Sequence, residues 1–176
     1  MKRRQFLQQA AAVTAMPLLS ACSGDNPEVQ IDSRLPVGPY GAKSTAEEVT
    51  RGMDLSGQVA MVTGCNSGLG YETMRVLALR GAHVLGTGRT LEKASKACES
   101  VSGPTTPLVL ELSSLQSALD CARAVGDLGL SPDILILNAG INTFGELELV
   151  NGIEKMFVVN FLGHFVLVNQ LLPLMK

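Results

Sequence analysis

Three glycines, Gly64, Gly68 and Gly70, follow an apolar run in the stretch VAMVTGCNSGLGYET, residues 59–73. Where a strand turns into a helix, glycines at this spacing make a corner that can hold phosphate. A helix N-terminus gathers unpaired N–H groups and roughly half a positive charge, which together suit a pyrophosphate. Gly64 permits the sharp turn, a side chain at Gly68 would obstruct the phosphates, and Gly70 lets helix pack closely on strand. Alone, such a triplet reads equally well as a glycine-rich turn that binds nothing. The surrounding elements decide between the two.

Those elements alternate. QVAMVT (58–63) is a short apolar run of the kind expected for a strand buried on both faces. A helix follows over 69–80, with Leu69, Val76 and Leu77 on one face and a stop at Gly81. AHVLGT is a second strand and TLEKASKACESV a second helix, capped by Thr90. PLVLEL is a third strand, a helix spans 114 to about 125, and DILIL (133–137) is a fourth strand. A long helix is expected over about 150–175. Strands alternating with helices predict right-handed crossovers and a parallel sheet, a doubly wound α/β (Rossmann) fold of about four strands. Ahead of it, STAEEVTRG has the spacing of a capping box, with Ser44 and Thr45 three residues before Glu47 and Glu48, for a short helix ending at Gly52.

With 176 residues, 46% of them hydrophobic, the chain is long enough for one folded unit with a true core. A formal charge of −2 gives no basic footprint for nucleic acid. Cys22, Cys65, Cys98 and Cys121 have neither metal-ligand nor disulfide-scaffold spacing, and no metal is expected.

The first 22 residues, MKRRQFLQQAAAVTAMPLLSAC, have the three-part layout of an export signal, to be set aside from the fold. RRQFL resembles a twin-arginine signal, and LSAC resembles a bacterial lipobox, in which the chain is cut before Cys22 and that cysteine is lipidated. An ordinary N-terminal amphipathic segment is the alternative. Losing Lys2, Arg3 and Arg4 with the leader makes the mature chain more acidic, so the lipid at Cys22, rather than charge, would hold it at the membrane. The expected organisation is a signal peptide over 1–21, a tether over 22–43 carrying Pro27, Pro36 and Pro39, and a folded domain over 44–176. An exported protein anchored on the outer side of a bacterial membrane is implied.

The glycine pattern is T-G-x-x-x-G-x-G, and it is joined by LNAG (137–140) and VVNFLGHF (158–165). With these motifs in order the chain resembles the short-chain dehydrogenases/reductases. STAEEVTRGMDLSGQVAMVTG and NGIEKMFVVNFLGHFVLVNQLLPLMK are similar to the branch of retinol-dehydrogenase-like and WW-domain-oxidoreductase-like proteins. The resemblance covers about 41–176. It implies hydride transfer between a nicotinamide dinucleotide and an alcohol or carbonyl, with an apolar substrate. It also implies cofactor binding by Gly64, Asn66, Ser67, Gly68, Leu69 and Gly70. Glu111 and the backbone of Leu112 fall where relatives contact adenine, although relatives carry Asp in place of the longer Glu111. Asn138, Ala139 and Gly140 match the segment that passes the cofactor's ribose, and Asn138 is equally a residue that fixes the sheet's backbone. Asn160 matches an asparagine that supports a proton relay.

In this fold an acid after the second strand selects NAD by binding the ribose hydroxyl. GTGRT has Gly88 at that place and Arg89 after it, and a guanidinium takes a 2′-phosphate bidentately. NADP(H) is therefore expected over NAD(H). The family's general acid/base tyrosine, its lysine and its serine have no counterpart here: the two tyrosines, Tyr40 and Tyr71, begin no Y-x-x-x-K. Family members place these groups after a fifth strand, which the chain does not reach. The expectation is a cofactor-binding part of a reductase, inactive alone and weak in its cofactor binding. The alternative is a non-catalytic, lipid-anchored nucleotide-binding or interaction module.

Without a fifth strand, DILIL becomes an exposed apolar edge. The 20 uncharged residues 156–175 present apolar surface nearly all round, which points to more protein over them, including a homo-oligomer through this last helix. The stretch also meets the length of a membrane span. His164 within it is read as a packed helix histidine.

Overall fold

The computed structural model describes residues 38–143 and 145–175. The leader, Cys22 and most of the tether lie outside them. Four strands, β1 (Val59–Val62), β2 (His83–Gly88), β3 (Thr105–Val109) and β4 (Ile134–Ile136), form one sheet in the order β3-β2-β1-β4. Every pair is parallel, with Ala60 beside both Val84 and Ile134. Because side chains alternate across a strand, the central strands bury both faces. Ala60, Val62 and Val84 face one core with Met74, Ala78, Ala97 and Cys98, while Met61 and Leu85 face the other with Ala118, Val125, Leu167 and Leu171.

The helices are α1 (Ala46–Val49), α2 (Gly68–Leu79), α3 (Leu91–Glu99), α4 (Leu115–Asp127) and α5 (Lys155–Leu174). α2 and α3 cover the first core, α4 and α5 the second. The capping box at α1 forms as its spacing predicts: Glu48 N–H donates to Thr45 Oγ1 and Thr45 N–H to the Glu48 carboxylate. Thr90 and Ser114 cap α3 and α4 through the Lys93 and Ser117 N–H groups.

Three expectations need correction. The third strand runs over Thr105–Val109 rather than 107–112, because its register with β2 ends at Gly88–Val109 and the Glu111 carboxylate then turns the chain by accepting from Ser113. Leu69 is not on the buried face of its helix. It is 82% exposed, and the buried face of α2 is instead made by Gly70, Met74, Val76 and Ala78. The last helix begins at Lys155 rather than near 150, because LVNGIE first makes a hairpin of β5 (Leu149–Val150) and β6 (Ile153–Glu154). Asn151 and Gly152 both take positive φ, 52° and 79°, as a type I′ turn requires.

α5 is long and apolar enough to cross a membrane by length and composition. One face of it packs into the second core, with Leu167 and Leu171 fully buried. Another face carries Phe157, Phe161 and Phe165, each about half exposed and stacked with centroids 5.2 and 6.0 Å apart. Among the described residues β4 pairs only with β1, leaving Ile134, Leu135 and Ile136 half-buried at an edge.

Candidate dinucleotide site

At the carboxyl edge of the sheet, the end of β1 meets the start of α2. Gly64 has φ +72°, and a Cβ there would press on Ala139 at 3.0 Å. A Cβ on Gly70 would collide with the Gly64 carbonyl and with Asn138 Nδ2, so close helix-to-strand packing does depend on this glycine. Gly68, at φ +60°, faces open space. α3 and α4 have side-chain caps, but Ser67 at the N-cap of α2 makes none. The first amides of α2 thus have no cap side chain to receive them, and Ser67, at their start, lines a cleft.

The cleft has a volume of about 530 Å³. The expected residues Gly64, Asn66, Ser67, Arg89, Glu111, Leu112, Asn138, Ala139 and Gly140 all line it. Gly68, Leu69 and Gly70, which were expected with them, are not among its lining; they follow Ser67 in the first turn of α2. Arg89 is exposed at the end of β2, and among the described residues no carboxylate lies within ion-pair distance of it. Glu111 Oε1 accepts from both the N–H (3.0 Å) and the hydroxyl (2.8 Å) of Ser113, so one carboxylate oxygen is committed to the loop.

The Asn138–Ile141 segment is held from two sides. Asn138 Nδ2 donates to the Thr63 carbonyl at 2.9 Å and more weakly to that of Gly64 at 3.4 Å. Its amide nitrogen therefore serves the sheet's backbone, one of the two roles left open by the sequence. The Ala139 N–H donates to Thr63 Oγ1 at 2.9 Å. From the other side, Asn160 Oδ1 accepts from the Ile141 N–H and Asn160 Nδ2 donates to the Ile141 carbonyl, both at 2.8 Å. Asn160 sits within a π-helical turn, Val158–Leu162, which interrupts α5 where it meets the cleft.

Sequence reasoning missed several residues of the site. Ile141, Thr143, Lys155 and Val159 also line the cleft, and Lys155 Nζ pairs with Glu148 at 2.7 Å across the base of the hairpin. Thr63 stood in the motif, but its hydroxyl contact with Ala139 spans 76 positions and has no local signal. The signal for Lys155 was the Asn-Gly turn, which fixes where α5 starts. Cys65 follows the glycine corner, and burial pushes its thiol pKa up to about 12, so it offers no thiolate. Neither tyrosine lines the cleft; Tyr71 Oη instead meets Ser100 Oγ at 3.1 Å.

Residues 58–176 match the family described as short chain dehydrogenase. The chain belongs to that family. It is 39% identical over 143 residues to short-chain dehydrogenase TIC 32 A, chloroplastic, of Brassica napus, covering 78% of this chain and 44% of that protein. It is 35% identical over 142 residues to the WW domain-containing oxidoreductase of Gallus gallus, covering 78% of this chain and 34% of that one. Among solved structures, Pseudomonas aeruginosa RhlG in an active-site complex with NADP superposes with a TM-score of 0.62 at 34% identity, over 69% of this chain and 49% of RhlG. The chain thus spans less than half the length of these curated relatives. As a short-chain dehydrogenase it has the family's Rossmann-type sheet, with the cleft where ligands bind in such sheets, outside the carboxyl ends of the strands.

Proposed function

We propose that this chain is the dinucleotide-holding part of an NADP(H)-dependent short-chain reductase acting on an alcohol or carbonyl. The observation that carries the reading is the uncapped N-terminus of α2, with Gly68 in a left-handed conformation and open space before it, at the edge of a cleft. That corner fits a pyrophosphate: amides as donors, dipole as positive charge, no side chain in the way. Arg89, exposed in the lining of the cleft, would take a 2′-phosphate, and NADP in the related RhlG complex supports a nicotinamide dinucleotide here. Glu111 and Leu112 would flank the adenine, while Asn138, Ala139 and Gly140 would pass the ribose. When bound, the dinucleotide supplies the hydride. Asn160 keeps the edge of the cleft in shape and stands where the family relays a proton.

Among the described residues no tyrosine and lysine are arranged as a general acid/base pair, and we expect no turnover from the chain. NADPH and NADH titrations of the chain and of Arg89→Ala test the assignment. The substitution should weaken NADPH binding at least about ten-fold, the loss of a charge-assisted contact, and NADH binding far less. Equal losses would remove the 2′-phosphate from the account, and sustained NADPH oxidation would contradict inactivity.

We also propose the address read from the leader: twin-arginine export and a lipid anchor at Cys22. Folded export suits a protein that takes up its nucleotide before crossing. Palmitate labelling should vanish in Cys22→Ser; labelling that survives, or an unprocessed cytosolic protein, would sink this part.

A further inference from the structure

His164 is only 5% exposed and has the sheet, not water, for company. Its Nε2 lies 3.0 Å from Thr63 Oγ1 and its Nδ1 lies 3.4 Å from the Asn160 carbonyl. A carbonyl oxygen can only accept, so Nδ1 must carry the proton. Nε2 is then a bare acceptor, and Thr63 must donate its hydroxyl hydrogen to it. With that hydrogen fixed, a lone pair of Thr63 Oγ1 is aimed at the Ala139 N–H, 2.9 Å away. The chain of donors runs one way: Ala139 N–H to Thr63, Thr63 O–H to His164, His164 Nδ1–H to the Asn160 carbonyl.

We infer that His164 is a positioning residue for the dinucleotide cleft, holding the Ala139 peptide in place through the Thr63 hydroxyl. The inference rests on the proposed dinucleotide reading for its purpose, but its geometry stands independently. His164 and Asn160 are four residues apart and share a face of α5. Asn160 grips the Ile141 peptide through two bonds, and His164 grips Ala139 through Thr63. Together they control both ends of the strip that a ribose would cross. Without Nε2 the buried Thr63 hydroxyl loses its acceptor, so the oxygen that accepts from Ala139 is no longer polarised by an onward hydrogen bond or held in place by it. A histidine that merely filled space would have no such effect on a peptide it does not touch.

The test compares the full chain with Thr63→Ser, Thr63→Val, His164→Leu and the double variant Thr63→Val/His164→Leu. Three quantities are read: hydrogen exchange of the Ala139 amide, the urea midpoint, and NADPH affinity. Thr63→Ser keeps the hydroxyl and should protect the Ala139 amide as the parent does, while its urea midpoint falls for the lost buried methyl. Thr63→Val and His164→Leu should each speed Ala139 exchange and weaken NADPH binding, roughly five-fold for one hydrogen bond. Because the single variants strand a buried polar partner, the double variant should recover much of the urea midpoint. It should not recover Ala139 protection or NADPH affinity.

Recovery of all three in the double variant, or parental Ala139 exchange in His164→Leu, would overturn the inference and leave His164 a packing residue. Parental chain that bound no NADPH, yet showed the predicted exchange pattern, would sink the dinucleotide reading and uphold the grip of His164 on Ala139.

Discussion

Gly68 and Gly70 sit two positions apart and should fail differently when given a methyl group. At Gly70 the new Cβ meets the Gly64 carbonyl and Asn138 Nδ2, backbone and a fixed amide that cannot yield, so Gly70→Ala should lose about 3 kcal/mol of stability. At Gly68 the space is open and only φ +60° is at stake, so Gly68→Ala should lose about 1 kcal/mol and yet bind NADPH at least about ten-fold more weakly, its methyl standing where phosphate belongs. Urea unfolding and NADPH titration of the two variants separate folding from binding. His164 gives a second expectation. Burial holds its pKa below the ordinary 6.5, so the unfolded chain binds the proton more readily than the folded one. The stability contributed by neutral His164 is complete above about pH 6.5 and declines as pH falls below it toward the lower folded pKa. Urea midpoints followed downward from pH 7 should show this decline in the parent and a shallower one in His164→Gln.

Caps divide the helices by role. Ser114 Oγ accepts from the Ser117 N–H at 3.2 Å, and Ser114→Ala should cost about 1 kcal/mol. Ser67 makes no cap bond, and Ser67→Ala should leave the urea midpoint nearly unchanged while weakening NADPH binding if its hydroxyl faces the phosphates. A full cap-sized loss at Ser67 would contradict the open corner. The strands and the helices α2 to α4 were legible because apolar runs, caps and glycine stops are local. Gly64, Arg89 and the 138–140 segment, which line the cleft, were legible for the same reason: motifs are local. What escaped was long-range. Nothing near Thr63 announces Ala139 or His164, 76 and 101 positions away. The Asn151-Gly152 hairpin was in plain view as a turn signal, but the apolar residues around it masked the helix start.

Across the molecule, one layer is finished and one is not. The central strands bury both faces, whereas α5 displays Phe157, Phe161 and Phe165 as a stacked aromatic strip and, among the described residues, β4 offers an apolar edge. Such surface is covered by preference, and more protein over it is what the sequence leads one to expect, a second copy meeting α5 being one such cover. Sedimentation of the folded chain should show a concentration-dependent mass that falls in Phe161→Lys; an unchanged monomer in both would count against it.

The account depends on backbone amides at the start of α2 holding paired phosphates. Amide chemical shifts of residues 66–70, followed by NMR while NADPH is added to the folded chain, test it most directly. The largest saturable changes should fall on Ser67, Gly68 and Leu69, with smaller ones at Arg89 and Ala139. Shifts absent from 66–70 at saturation, or confined to another face of the sheet, would contradict it.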